Sequence, residues 1–102
     1  MSAAQFSIGE VIKHRLFGYY GVIYDVDANF MGDEEWYDMV ARTCPPKDQP
    51  WYRILVDDKD VETYVAERNL EACPHQPINH PLVPVYFDGS REGLYVSRRL
   101  PA

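Results

Sequence analysis

The segment FSIGEVIKHRLFGYYGVIYDVD, residues 6–27, sets the architecture of this chain because it has the pattern of two strands joined by a turn. Its first half alternates with the period of two that is typical of a half-buried strand. The apolar positions are Ile8, Ile12, His14 and Leu16, and the basic positions between them are Lys13 and Arg15. Gly18 and Gly21 bracket the turn, and glycine tolerates the positive φ that a reversal of direction requires. The segment therefore predicts a small β domain that begins with a bent hairpin.

Length and composition limit the classes of protein to consider. At 102 residues the chain can build one domain with a single modest core. Hydrophobic residues make up 46% and aromatic residues 14%, which is enough apolar surface to exclude a wholly disordered chain. The formal net charge is −6, so the chain as a whole lacks the basic balance that phosphate binding normally needs. Any contact with DNA must therefore use a local basic patch.

Targeting signals and cysteines bear on the cellular compartment. The sequence has no segment that approaches the roughly 20 apolar residues of a membrane span. Its start, MSAAQFSIGEV, lacks the basic and then apolar run of a signal peptide, so we expect a cytoplasmic protein. Cys44 and Cys73 each precede a proline in a loop, and we expect free thiols in a reducing compartment.

Residues 50–67 predict a second hairpin. Its first strand, PWYRILVD, is apolar on both faces, which favours a position inside a curled sheet. The side chains expected to point away from solvent are Tyr52, Ile54 and Val56. The acidic turn at residues 57–60 leads into the partner strand VETYVAE. Residues 68–71 then predict one helical turn that tucks Leu70 under the sheet.

Two further segments complete the chain. Between the second and third strands, DEEWYDMVART at residues 33–43 has acids near its start and the spacing of a short helix. The side chains expected to face the sheet are Trp36, Met39 and Val40. Residues 73–84 are rich in proline and therefore extended. The apolar clusters at residues 85–87 and 94–96 form either a last strand pair or a docked arm.

The predicted fold class is mainly β: a small SH3-like or Tudor-like barrel of about five antiparallel strands with one short inserted helix. We divide the chain into a flexible N-terminal arm at residues 1–5 and the barrel at residues 6–72. A proline-rich extended arm and C-terminal tail at residues 73–102 belong to the same single domain. Barrels of this kind host many unrelated functions, so the fold alone does not assign one.

Several motifs along the chain resemble one known family. The run IGEVIKHRLFGYYGVIYDVD is followed in order by EEWY, KDQPWYRILVDD and TYVAERNL. Together these motifs resemble the heat-shock protein Q family, whose domain is called YccV-like or hemimethylated-DNA-binding. The resemblance spans residues 6 to 71, and the combination is far more than a generic barrel would share.

The resemblance implies a small SH3-like barrel in a cytoplasmic bacterial protein that self-associates. It also implies preferential binding to hemimethylated DNA near replication origins. For some members it implies partnership with the Lon protease, as a substrate and as a partner that enhances specificity. The expected function is therefore a non-enzymatic regulatory protein of the heat-shock type. The alternative is a protein-interaction module that uses an aromatic patch without physiological DNA binding.

Candidate chemistry in the sequence gives little support for an enzyme. Asp25 and Asp27 have the spacing of paired catalytic carboxylates, but acids at a strand end more often accept backbone N–H bonds. No Ser-His or Cys-His nucleophile motif is evident. No usual zinc-ligand spacing is formed by Cys44, Cys73, His75 and His80. We therefore predict no catalytic residue, metal, cofactor or small-molecule substrate.

The histidine and the aromatic residues each have a structural and a functional interpretation. His14 lies at an apolar position, and a core histidine bonded to a backbone carbonyl is favoured over a functional contact. Most aromatic rings are expected in the core, although Tudor-like barrels use such rings to bind methylated ligands. Tyr19 and Tyr20 are the exceptions, since a turn tip is an exposed place.

Two hypotheses assign binding residues. In the first, basic side chains on the strand face opposite the core contact phosphates while a turn residue probes the groove. The predicted DNA contacts are Lys13, Arg15, Tyr20 and Arg53. In the second, the aromatic turn and the net basic tail dock on a protease or on another copy of the protein. The predicted partner contacts are Tyr19, Leu94, Tyr95, Arg98, Arg99 and Leu100.

The tail also has a simpler interpretation, in which residues 94–96 are the last strand and the arginines are its solvated end. Self-association has an argument of its own. Strands that are apolar on both faces leave more hydrophobic surface than a lone barrel of this size should hide, and such patches usually mark interfaces. We therefore predict a homo-oligomer.

Overall fold

The two hairpins predicted from the sequence form and lie side by side in one sheet. The structure is a computed structural model that describes residues 4–40 and 44–98, with Val40 described by its backbone alone. The strands of the sheet are β1 (Val11–His14), β2 (Tyr20–Asp27), β3 (Trp51–Val56), β4 (Glu62–Ala66) and β5 (Leu70–Ala72). All pairs are antiparallel, in the order β4-β3-β2-β1-β5. A separate two-stranded sheet contains β6 (Phe87–Arg91) and β7 (Leu94–Ser97).

Short helical segments connect these strands. The helix α1 (Glu34–Val40) is inserted between β2 and β3, as predicted. It begins where the Asp33 carboxylate accepts a hydrogen bond of 2.7 Å from the backbone N–H of Glu35. A 3₁₀ turn (Glu67–Asn69) joins β4 to β5, and the four-residue helix α2 (Val83–Tyr86) precedes β6. The prediction of a mainly β protein with an inserted helix is therefore confirmed.

The sheet is curled, but its edge strands are not joined by hydrogen bonds. Strands β4 and β5 are its two edges, and among the described residues no pairing joins them into a closed barrel. The edge strand β5 has only three residues, and its one partner in the sheet is β1. The single turn expected near residues 68–71 is present as the 3₁₀ turn, and Leu70 behind it is fully buried as predicted. The five antiparallel strands are confirmed, whereas hydrogen-bonded closure of a barrel is not observed.

One face of the sheet forms the inner core. Its buried members are Ile12, Ile23, Tyr52, Ile54, Val65 and Leu70. The prediction that Tyr52, Ile54 and Val56 point away from solvent is confirmed, since all three are buried. The Tyr52 hydroxyl donates to the carboxylate of buried Glu67 at 2.5 Å, and the same carboxylate accepts from the backbone N–H of Gln5 at 2.8 Å. Gln5, placed in a flexible arm by the sequence, is therefore tied to the core.

The opposite face of the sheet forms a second, outer core. Its buried members are Val11, Val22, Leu55, Ile78 and Phe87. The last two come from the C-terminal third of the chain, which lies across this face and covers it. This arrangement explains why β3 is apolar on both sides. It also removes the argument for self-association from uncovered strands, because the chain covers its own second face.

The first hairpin differs from its prediction at two positions. Leu16 was expected on the core side, but its side chain is 57% exposed because β1 ends at His14 and a turn begins. Gly18 has the expected positive φ, +75°. Gly21 instead permits close approach of β2 and β3, since a Cβ there would lie 2.4 Å from Cγ2 of Ile54.

The packed face of α1 also differs from its prediction. Trp36 is half-buried, but Met39 is 80% exposed and does not face the sheet. Tyr37 takes that place, because its hydroxyl donates to the carbonyl of Pro45 at 2.7 Å and its ring lies edge-on to Phe30. The expectation for the Val40 side chain, and the last residues of the predicted helix at 41–43, lie outside the described residues.

Candidate functional site

Three of the four predicted DNA contacts lie at the end of the sheet that carries the β1–β2 turn. Lys13 is paired with Tyr20 across the two strands, and the Lys13 ammonium lies 5.8 Å from the centre of the Tyr20 ring. Arg15 follows on the same face, where its Nε donates to the carbonyl of Leu70 at 3.0 Å. One guanidinium nitrogen of Arg15 is 4.0 Å from the Glu71 carboxylate. Half-buried Tyr20 packs on the outer core, so its ring is less exposed than predicted.

Arg53 does not join this group. It pairs with Asp25 near the other end of β2, about 16 Å along the strand from Tyr20. Its guanidinium lies 3.9 Å from the Asp25 carboxylate and 3.5 Å from the Asp27 carboxylate, and it stacks 4.5 Å above the ring of Tyr64. Its charge is therefore already balanced within the protein. The two aspartates accordingly act as partners of Arg53.

His14 is buried behind the turn and fixes its shape. Its Nδ1 accepts hydrogen bonds from the backbone N–H groups of Leu16 and Phe17, both at 3.1 Å. The prediction that His14 is a core histidine is therefore confirmed. Its hydrogen-bond partners, however, are backbone N–H donors rather than the predicted carbonyl. Burial lowers the pKa of His14 below its ordinary value, which favours the neutral ring that an accepting Nδ1 requires.

The turn exposes two apolar side chains that the sequence interpretation missed. Phe17 is 72% exposed, and Leu16 beside it is also largely in solvent. The Phe17 ring stacks on His14 at 4.6 Å with an interplanar angle of 24°. The signal in the sequence was Gly18, whose N–H donates to the carbonyl of His14 at 2.9 Å and closes the turn. That closure ends β1 before Leu16 and turns it outward.

The Tyr19 side chain lies on the inner-core side of the sheet, unlike the exposed side chains of Leu16 and Phe17. It is half-buried against the inner core, and its hydroxyl is 2.8 Å from the hydroxyl of Thr63. Burial raises the pKa of the Tyr19 hydroxyl above its ordinary value. The prediction that Tyr19 lies exposed at the turn tip is therefore wrong, because the ring folds under the hairpin.

A cluster of aromatic rings lies at the opposite end of the sheet, beside α1. Its members, which we call the aromatic cluster, are Phe30, Trp36, Tyr37, Trp51 and Tyr64. The ammonium of Lys47 lies 4.2 Å from the centre of the Tyr37 ring and also pairs with the Glu34 carboxylate. Burial, together with a hydrogen bond to Asp27, raises the pKa of Tyr64 to about 12. The cluster thus fixes α1 to the sheet and already holds cations of its own.

The predicted tail contacts lie in the β6–β7 hairpin or just beyond it. Leu94 is exposed, whereas half-buried Tyr95 packs on Phe87 and its hydroxyl accepts from the N–H of Ile78 at 3.0 Å. Arg98 donates from Nε to the carbonyl of Pro84 at 2.8 Å and pairs with Asp88 at 3.6 Å. Residues 94–97 therefore form a strand, as the simpler interpretation of the tail held. Arg99 and Leu100 lie outside the described residues.

Two other observations concern chemistry and membranes. Within residues 4–40 and 44–98, no three histidine, cysteine or acidic side chains lie together as metal ligands, and both Cys44 and Cys73 are free thiols. No helix in that part of the chain is long and apolar enough to cross a membrane.

Comparison with known protein families gives a match over most of the chain. The family described as hemimethylated DNA-binding protein YccV-like matches residues 4–94. This range contains all of the sheet, the β1–β2 turn, α1 and the strand β6. Because the match covers far more than half of the 102 residues, the chain belongs to the YccV-like family of hemimethylated DNA-binding proteins.

Proposed function

We propose that this protein is a non-enzymatic regulator that binds hemimethylated duplex DNA through the end of the sheet that carries the β1–β2 turn. Membership of a family named for that ligand is the observation that carries the proposal. In this region Lys13 and Tyr20 are paired across β1 and β2, and Arg15 follows β1 at the start of the turn. Two cations beside an aromatic ring suit contact with phosphates and sugars. Arg53 is left out, since its charge is balanced by Asp25 and Asp27.

The acidic net charge makes salt dependence the sharpest test. We would titrate hemimethylated, fully methylated and unmethylated duplexes of one sequence at two salt concentrations. The double variant Lys13→Gln, Arg15→Gln is expected to weaken binding and to lower the salt slope by about 2, since each lost phosphate contact removes about 0.9. Lys47→Gln, which removes a cation beside α1 at the opposite end of the sheet, is the matched control and should change neither. Equal slopes for the wild type and the double variant, or no binding to any duplex, would contradict the proposal.

A second proposed function is modulation of a Lon-type ATP-dependent protease, as specificity-enhancing partner and substrate. The observation that favours it is the apolar outer surface of the C-terminal hairpin, where Leu94 and Val96 are exposed beside Arg98. Apolar anchors next to a cation suit a protein partner. The double variant Leu94→Ser, Val96→Ser should reduce stimulation of a purified protease, and Met39→Ser should not. Unchanged stimulation would leave the hairpin as structure only.

The remaining parts of the proposal rest on the family resemblance. They are a cytoplasmic location, homo-oligomerisation and an SH3-like barrel as the parent fold. The strand order and the 3₁₀ turn before β5 suit such a parent fold. If the DNA titration finds no binding while protease stimulation persists, the protein is instead an interaction module without physiological DNA binding.

A further inference from the structure

The exposed apolar tip of the β1–β2 turn, formed by Leu16 and Phe17, is held by hydrogen bonds to His14. The N–H of Gly18 donates to the carbonyl of His14, and the N–H groups of both tip residues donate to its ring nitrogen. The stacked His14 ring supports Phe17 from below. Two large apolar side chains are thus held in water by a turn that has little freedom to fold them away. Such a pre-organised apolar group loses little entropy on binding, which suits a contact with a partner.

The surroundings of the tip indicate what kind of partner it meets. Lys13 lies on the preceding strand β1, and Arg15 directly precedes the tip at the start of the turn. Three of the acids at this end of the sheet have partners within the protein: Glu71 lies beside Arg15, and Asp57 and Asp58 accept hydrogen bonds from Asn79 at 2.6 and 3.3 Å. Cations flanking an apolar tip complement a ligand that joins anionic groups to an apolar one.

Methylated DNA is such a ligand. Its phosphates line the groove, and a methyl group on adenine N6 or on cytosine C5 projects into the major groove between them. That groove is about 12 Å wide and admits a two-stranded β-ribbon. Because β1 and β2 are also paired with β5 and β3 in the sheet, only the turn between them, with Leu16 and Phe17 foremost, can enter the groove.

We propose that Leu16 and Phe17 contact the DNA methyl group in the major groove, and that this contact supplies the preference for methylated over unmethylated duplex. The inference rests on the proposed function and goes further by naming the group that is read and the residues that read it. Lys13 and Arg15 supply affinity from phosphates, and the tip supplies discrimination. Burial of one methyl group against apolar side chains corresponds to a preference of about three- to fivefold.

A cycle of protein variants against DNA methylation tests this inference. Wild type, Leu16→Ala and Phe17→Ala are titrated with an unmethylated duplex and with duplexes that carry one methyl on adenine N6 or one on cytosine C5. The ratio of dissociation constants for unmethylated and methylated DNA is the readout. We expect the wild type to prefer one methylated duplex, and each variant to lose most of that preference while still binding the unmethylated duplex.

Two controls keep the result specific. Met39→Ala removes an exposed apolar side chain from α1, at the other end of the sheet, and should keep the wild-type ratio. Phe17→Leu retains an apolar tip and should keep part of the preference even if Phe17→Ala disturbs the stack on His14. Circular dichroism of each variant checks that the sheet is intact.

The outcomes separate the inference from the proposed function. If the wild type prefers methylated DNA and the Leu16 and Phe17 variants keep the same ratio, the methyl contact is elsewhere and the inference is wrong, although the proposed function stands. If the wild type binds no duplex, or binds all duplexes equally, the proposed function itself is overturned and the inference with it. Loss of the ratio with retained binding to unmethylated DNA supports both.

Discussion

At the scale of single residues, one neutral histidine decides the shape of the proposed DNA-contacting turn. The ring of His14 is buried, accepts two backbone N–H bonds through Nδ1, and lies between the rings of Phe17 and Tyr19. A protonated ring has no acceptor at Nδ1. Protonation would therefore remove both hydrogen bonds and place a charge in an apolar site, while Tyr19 stays neutral because its pKa is raised.

This arrangement predicts a loss of stability in mild acid. The pKa of His14 is 6.5 in the unfolded chain, and burial lowers it in the folded protein. The stabilising contribution of the neutral His14 ring is therefore fully present above pH 6.5. The contribution is lost as pH falls from about 6.5 through the folded-state pKa, since only the unfolded chain takes up the proton there. The free energy of unfolding in urea at pH 7.5 and at pH 5.5 measures this loss.

Two comparisons assign the effect to His14. The variant His14→Gln keeps a hydrogen-bond acceptor that does not titrate, so it should show a weaker fall in stability between the two pH values. A titration of the His14 ring by NMR should have its midpoint below 6.5. A midpoint at or above that value, or identical pH dependence in the variant, would show that the ring is not held neutral.

At the scale of elements, the backbone hydrogen bonds of one glycine link the C-terminal hairpin to the main sheet. The N–H of Gly9 donates to the carbonyl of Ile23 at 2.8 Å, and its own carbonyl accepts from the N–H of Tyr95 at 2.9 Å. Its φ is +97°, and a Cβ there would lie 2.1 Å from the Tyr95 carbonyl oxygen. No side chain larger than hydrogen fits between β7 and the chain before β1.

A pair of glycine variants separates close approach from backbone strain. Gly9→Ala must move β7 as well as adopt a positive φ, whereas Gly89→Ala adopts φ +82° with nothing within 4 Å of its Cβ. We expect Gly89→Ala to cost about 1–2 kcal/mol, and Gly9→Ala to cost about 1–3 kcal/mol more because of the added overlap. Urea unfolding of both variants measures the difference. Equal costs would mean that the hairpin shifts freely and is not fixed to the sheet here.

At the scale of the whole molecule, the five-stranded sheet has a hydrophobic core on each of its two faces. The inner core belongs to the curled sheet itself, and the outer core forms only when the C-terminal third of the chain folds across it. Phe87 is the largest fully buried side chain that this third contributes. The outer face would otherwise expose Val22 and Leu55 to water.

The outer core should therefore contribute strongly to stability. Phe87→Ala is expected to cost about 3–5 kcal/mol, the usual range for a buried phenylalanine. Val85→Ala, two residues earlier on the exposed side of α2, should stay within about 0.5 kcal/mol. Thermal and urea unfolding of both variants measure these costs. A small cost for Phe87→Ala would indicate that the sheet is stable without its outer cover.

Elements whose signal lies in neighbouring residues could be predicted from the amino-acid sequence alone. Alternation marked β1 and β3, Gly18 marked the first turn, and the acids before Trp36 marked α1. The sequence also placed Tyr52, Ile54 and Leu70 in the core, and its motifs indicated the family to which the chain belongs. These features depend on period and on backbone preference, which neighbouring residues carry.

Contacts between distant segments determine which side chains stay in water and which basic residues lie together. Leu16 is exposed because the turn closes on His14, and Tyr19 is covered because Thr63 of another hairpin meets it. Arg53 is separated from Lys13 because they pair at different ends of β2. The outer core joins residues far apart in sequence, as Val22 and Phe87 show. Alternation tells which residues share a face, but what covers that face depends on contacts between distant segments.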